Sequence, residues 1–162
     1  MKIVPVEEIP LVENVQPTPT DNLMELYKVC QKMENLCQAE NGIGLSAVQV
    51  GIPWKFFVVR NRDGSFERLV DCEYEAVGTE PLQDGLEGCL SLRNAEGRLR
   101  NFSVKRHPKV RITGKKLLID PDLSLEDVDL ELDGLYSVVY QHEIDHHNGI
   151  LISEIGKEVE IW

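Results

Sequence analysis

Basic residues are scarce in this chain: 17 Lys and Arg stand against 28 Asp and Glu, a net charge of −11 over 162 residues. That balance argues against a nucleic-acid binder, which needs cationic patches to meet phosphate, and disfavours anionic membrane surfaces. Long apolar runs are missing too. No stretch approaches the roughly 20 residues of a membrane span. The opening "MKIVPVEEIPLVENV" has neither the apolar core nor the small-residue cleavage site of a secretory signal. Cysteine is sparse, at Cys30, Cys37, Cys72 and Cys89. Without an export signal these read as free thiols or metal ligands, and a reducing cytoplasm is the expected location. No repeat and no low-complexity segment is present. What remains, 42% hydrophobic and 28% charged, is a soluble globular composition. The length suits one domain over residues 1–162 with a sizeable core of its own.

Local patterns place the elements. Thr18 and Pro19 have helix-start chemistry. Leu23, Leu26, Tyr27, Cys30, Met33, Leu36 and Cys37 then recur at helical spacing as far as Asn41-Gly42, which ends the helix. Cys30, Cys37 and Cys72 read as core. "KFFVVR" and "FERLV" read as strands joined by the turn "NRDGS". Residues 78–97 are expected to be irregular. "KVRITG" and "KLLID" read as two further strands, and "DVDLELDG" alternates as a half-buried one. Asp133 is placed to cap a last helix from about Leu135 to Asn148. A helix, then mostly strands, then a helix is an α+β order.

The last helix carries "QHEIDHHNGI", residues 141–150. His142 and His146 are four apart, so their rings stack on one helix face within reach of one ion. Glu143 then stands where it can accept a proton from water activated by that ion, the H-E-x-x-H arrangement. Leu135, Val138 and Val139 share the face, so the pair points inward, where two unpaired imidazoles would be costly to bury. His147 is rotated by roughly 140° from His142. It is expected to be a partly exposed histidine at the helix end, not a ligand. Asp145 is expected to accept an imidazole N–H, to brace the helix end, or to stand as a solvated helix carboxylate.

A third ligand is needed. The three-histidine metalloprotease pattern requires His where this chain has Ile152. The residues after His146 offer Glu154, Glu158 and Glu160 on a segment too short to pack as another ligand helix. Upstream, Cys89 in "EGCLS" is the strongest candidate. Gly88 beside it permits close backbone approach, and one thiolate with two imidazoles leaves room for water.

Three motifs in order, "GIGLSAVQ" from Gly42, "EGCLS" from Glu87 and "QHEIDH" from Gln141, resemble those of peptide deformylase over nearly the whole chain. The resemblance implies mixed and antiparallel strands around a central helix that carries HExxH, with a helix near the N-terminus. It implies a metal-dependent hydrolase that removes the formyl group from the N-terminal formyl-methionine of new peptides and releases formate. It assigns Cys89, His142 and His146 to one metal ion and Glu143 to proton transfer. The Gln49 side chain and the Leu90 N–H would hold the oxyanion, and Gly42, Ile43, Gly44, Leu45 and Gly88 would contact substrate. Iron(II) is implied, with Zn²⁺, Ni²⁺ or Co²⁺ able to substitute. Glu87 would pair with Arg106. The expected partners are N-formylmethionyl nascent peptides, with transient ribosome proximity; no direct nucleic-acid contact and a monomer are expected.

Departures from the family pattern are equally visible. Ser46 stands where Ala is usual, and "LRNAEGRLRNFSVKR" follows the cysteine motif where a small residue and Pro are common. His147 replaces a residue that is usually apolar. A longer C-terminal helix is expected to be absent or much reduced.

Overall fold

The computed structural model describes residues 1–160; Ile161 and Trp162, at the end of the expected domain, lie outside the described residues. In chain order the main elements are α1 (Leu23–Ala39), β1 (Gly44–Ser46), β2 (Phe56–Arg60), β3 (Phe66–Ala76), β4 (Gln83–Arg93), β5 (Leu99–Arg106), β6 (Lys109–Leu118), β7 (Ser124–Asp133), α2 (Gly134–His147), α3 (Ile152–Ile155) and β8 (Lys157–Val159). The strands form two antiparallel sheets, β1-β2-β3-β6-β7 and β4-β5-β8.

Strand β2 shows how the larger sheet is built. Phe56, Phe57, Val58 and Val59 are all fully buried, yet their side chains go to opposite faces. Phe56 and Val58 join Leu26, Cys30, Met33 and Cys37 of α1. Phe57 and Val59 join Val139, Tyr140 and Ile144 of α2. A helix therefore covers each face, and α2, the metal-motif helix, is pinned by its apolar side to the sheet. The smaller sheet has its own cluster, Cys89, Leu92, Phe102 and Val104, closed by Ile152 of α3. Cys30, Cys37 and Cys72 are buried thiols in these cores, and burial pushes each up to about 12.

Four local expectations are revised. Helix α1 begins at Leu23, and its cap is Asn22, whose side chain accepts the Glu25 N–H at 3.2 Å. Thr18 is drawn into tertiary bonds instead: its N–H donates to Asp71 Oδ1 and its hydroxyl to the Lys55 carbonyl. Residues 78–97 are not irregular, because most of them form β4, an edge strand. Its exposed, glycine-containing first half lacks the apolar alternation of a half-buried strand, and pairing with β5 supplies the order. "KVRITG" and "KLLID" are one strand, β6, bent at Gly114 (φ 150°) opposite a register shift in β3. A side chain at Gly114 would meet the Cys72 backbone at 2.7 Å. Asp133 occupies the cap position of α2 but makes no side-chain capping bond.

Candidate metal centre

Helix α2 and strand β4 face each other across a cleft of about 250 Å³, with the loop from Asn41 to Gly44 as its third side. From α2 come Leu135, Val138, Val139, His142 and Glu143; from β4 come Leu86, Glu87, Gly88, Cys89 and Leu90. Pairing of β4 with β5 breaks between Gly88 and Arg93, the stretch that contains Cys89. Such breaks re-aim side chains and leave backbone groups free of the ladder.

Cys89, His142 and His146 place their donor atoms within 4.8 Å of one another. The Cys89 sulfur lies 3.5 Å from His146 Nε2, which lies 3.2 Å from His142 Nε2. Tetrahedral ligands bound at about 2.0–2.3 Å stand roughly 3.3–3.6 Å apart, so the spacing fits one ion held by all three. Without an ion, a proton on one Nε2 bridges the two imidazoles; a cation would take the place of that proton and meet all three donors.

The ring orientations have causes. His142 Nδ1 meets Glu87 Oε1 at 2.9 Å, which directs its proton there and leaves Nε2 as the donor to metal. Both oxygens of Glu87 also accept from Arg106, at 2.9 Å each. Arg106, 4% exposed, donates as well to Asp145 Oδ2, and Asp145 Oδ1 accepts from the Tyr74 hydroxyl at 2.8 Å. Asp145 thus touches no ligand imidazole and does not brace the helix end. It anchors Arg106 under the ligand pair, a role set by Tyr74, 71 residues away, that local spacing could not show. In this network burial tends to raise Glu87, but His142 and Arg106 outweigh it and hold its carboxyl below the usual range. Burial, then the charges of His142, Arg106 and His147, drive the His146 pKa well down, so it stays a neutral ligand-competent ring. Burial also presses on His142, yet hydrogen bonds to Cys89 and Glu87 prevail and raise it to about 10 in the metal-free protein.

Glu143 is buried at 4% exposure, and its Oε1 lies 4.0 Å from His142 Nε2. Its Oε2 has no hydrogen-bond partner among the described residues. Desolvation, with Glu87 adding repulsion and His142 and Arg106 opposing, pushes its pKa up to about 7. A carboxyl poised there can both take and return a proton near neutrality. Gly44 makes room for it: a Cβ at that position would stand 2.9 Å from Glu143 Oε1.

Gln49 is fully buried in a short 3₁₀ turn, Ala47–Val50. Its Oε1 accepts the Ser46 N–H at 3.0 Å, which fixes the amide orientation. Its Nε2 then points toward Cys89 Sγ (3.4 Å) and Ser91 Oγ (3.3 Å). Ser91 was not singled out in the sequence, although its place two residues after Cys89 was the available signal. Gly42, Ile43, Gly44 and Gly88 line the cleft, whereas Leu45 does not: its side chain is fully buried in the α1 core.

His147 corrects its expectation outright. It is 1% exposed, on the side of α2 away from the metal site, with Nε2 at 3.4 Å from Glu73 Oε1. Rotation about the helix axis excluded it from the ligand set, but β3 covers that side of the helix, so the ring is not at the surface. Burial lowers its pKa, against the raising influence of Glu73.

A helix-borne histidine pair, a cysteine sulfur from a facing strand and a buried carboxyl beside them define the site of a metal-dependent hydrolase. Sequence comparison narrows the class. The polypeptide deformylase family model matches residues 1–160. The peptide deformylase of Symbiobacterium thermophilum is 34% identical over 150 residues, covering 83% of this chain and 62% of that relative's length. That of Carboxydothermus hydrogenoformans is 31% identical over 145 residues, covering 90% and 86%. A Met-Ala-Ser-bound class I type b peptide deformylase from Acinetobacter baumannii superposes with a TM-score of 0.74 at 27% identity, covering 95% of this chain and 99% of that one. This chain belongs to the polypeptide deformylase family. As a member it is a metal-dependent hydrolase that removes the N-formyl group from nascent peptides.

Proposed function

We propose that Cys89, His142 and His146 hold one Fe²⁺ ion, replaceable by Zn²⁺, Ni²⁺ or Co²⁺, and that residues 1–162 form one catalytic domain acting on formyl-methionyl peptides. The convergence of one sulfur and two imidazole nitrogens beside an unpartnered buried carboxylate carries this reading. Bound there, the ion supplies Lewis-acid charge that polarises the formyl oxygen and makes a water acidic. Glu143 takes the proton of the attacking water and returns it to the departing amine, work suited to a carboxyl whose burial favours its protonated form. The Gln49 amide, oriented by Ser46, and the Leu90 N–H on the interrupted stretch of β4 donate to the negative oxygen as it forms. Leu86, Val138 and Val139 make an apolar lining for the methionine side chain. The Acinetobacter relative binds Met-Ala-Ser, a peptide that begins with methionine, which supports the same occupant for this cleft.

No helix among the described residues is long and apolar enough to cross a membrane. A cytoplasmic monomer that meets nascent chains near the ribosome, without gripping RNA, is consistent with the net charge of −11. Formate release from formyl-Met-Ala-Ser by anaerobically prepared, Fe²⁺- or Ni²⁺-loaded protein tests the activity: release is expected, and none from metal-loaded protein sinks the reading. The Cys89→Ser variant tests the ligand set. It should lose both metal and hydrolysis, and unchanged metal content would remove Cys89 from the site.

A further inference from the structure

The segment in which this chain departs from its family, residues 92–106, folds into the hairpin joining β4 to β5, turning at Asn94 to Gly97. One of its residues reaches the cleft. Leu99 is the single lining residue contributed by β5, and its Cδ1 lies 3.5 Å from where a Cβ on Gly88 would stand. Leu99 is 38% exposed, and Ile43, Leu86 and Leu135 around the same cleft are 38%, 61% and 49% exposed. Exposed apolar side chains gathered at one opening mark a binding surface.

The hairpin is also tied across the cleft. Arg93 donates to Glu40 at 2.8 Å, and to the Gly97 carbonyl of its own turn at 2.9 Å. Glu40 ends α1 and leads directly into Asn41, Gly42 and Ile43, the opposite side of the opening. On the β4–β5 side Arg100, next to Leu99, points away from the cleft as strand alternation requires, and both its bonds go to Glu158. Arg93 and Arg100 are thus occupied by carboxylates, and the exposed Arg98 before Leu99 is not part of the cleft lining, so the hairpin offers the cleft an apolar contact.

We infer that Leu99 is a specificity-determining residue: it forms an apolar seat for the side chain of the peptide's second residue, and the Arg93–Glu40 bridge positions it. The inference rests on the deformylase reading. A peptide whose first side chain fills the apolar lining and whose formyl group sits at Cys89 must leave along the edge strand β4. There Leu99 stands over Gly88. The occupant is an uncharged, apolar side chain.

Kinetics on formyl-Met-Leu-Ser, formyl-Met-Gly-Ser and formyl-Met-Asp-Ser test this. The protein should favour the leucyl over the glycyl peptide by about tenfold in kcat/KM, the scale of a partly buried aliphatic contact. Leu99→Ser should shrink that ratio to about twofold, and Leu99→Met should keep it. Glu40→Gln and Arg93→Gln should each relax the ratio by about threefold, and the double variant by no more than either. An unchanged ratio in Leu99→Ser, or a preference for the aspartyl peptide, overturns the inference. The same peptides are also titrated calorimetrically into metal-loaded Glu143→Gln protein with and without Leu99→Ser. If no peptide yields formate, the deformylase reading fails. The binding order still decides Leu99: leucyl over glycyl only with Leu99 present sustains it, and equal affinities overturn it.

Discussion

The two walls of the cleft are built on different principles. The α2 wall is local: His142, Glu143 and His146 lie within five consecutive residues, and the helix repeat aims them before any tertiary contact forms. The β4 wall is assembled. Cys89 reaches the site because its strand loses register in that stretch, because Arg106 on β5 clamps Glu87, and because Asp145, itself held by the Tyr74 hydroxyl, clamps Arg106 in turn. A wall fixed by helix geometry should lose chemistry when one group is changed. A wall held by a buried charge network should lose structure.

Breaking the first wall should give the largest effect. Glu143→Gln removes the proposed proton carrier and keeps the shape, so formate release should fall by about 10²–10⁴-fold while metal content stays the same. The same variant has a pH signature in metal-free protein. The folded Glu143 pKa of about 7 exceeds the ordinary carboxyl value of 4.5. The unfolded chain therefore releases this proton first as pH rises. Stability attributable to Glu143 is present below about 4.5 and lost as pH climbs to about 7. Glu143→Gln should accordingly gain stability over the wild type as pH is raised across that window, by on the order of 3 kcal/mol. Urea melts of both metal-free proteins at pH 4.5 and 7.5 check this; a constant difference contradicts the burial argument.

The second wall should break differently. Arg106→Met strands Glu87 and Asp145 as buried carboxylates, 8% and 3% exposed. It should cost about 3–5 kcal/mol in denaturant melts and weaken metal binding through the loosened His142. A loss under 1 kcal/mol would mean that water replaces the arginine without consequence.

The smallest effect sharpens the comparison within α2 itself. His146 and His147 are neighbours in sequence, yet one joins a cluster that could hold a metal ion and the other takes a core position beside Glu73. Among the described residues Glu73 is a polar neighbour of His147, 3.4 Å from Nε2, and neither ring nitrogen makes a well-aligned hydrogen bond. His147→Leu should change activity by less than about twofold and leave stability within about 1 kcal/mol, or raise it, because an apolar side chain suits a buried site better than a ring with one poorly aligned polar contact. Thermal melts and metal titration of this variant separate the two histidines.

The helical wall was legible in the sequence, and so was Cys89, once Ile152 excluded the three-histidine pattern. Strand β2 was legible because its four buried residues are aromatic and β-branched. Strand β4 was not, because its pairing with β5 rather than any apolar alternation orders it. The same holds for Thr18, diverted from capping by Asp71 and Lys55, and for Leu45, which strand alternation turned into the core.

By itself the sequence determined which groups can do chemistry here and which two imidazoles must share a face, because helix spacing is a local property of the chain. Tertiary structure decided the rest. It brought Cys89 within 3.5 Å of a histidine 57 residues away, chose Tyr74 and Arg106 as partners for Asp145, and buried His147 under β3. Those outcomes depend on sheet register and on which buried charges can pair, and both are fixed only when distant segments pack together.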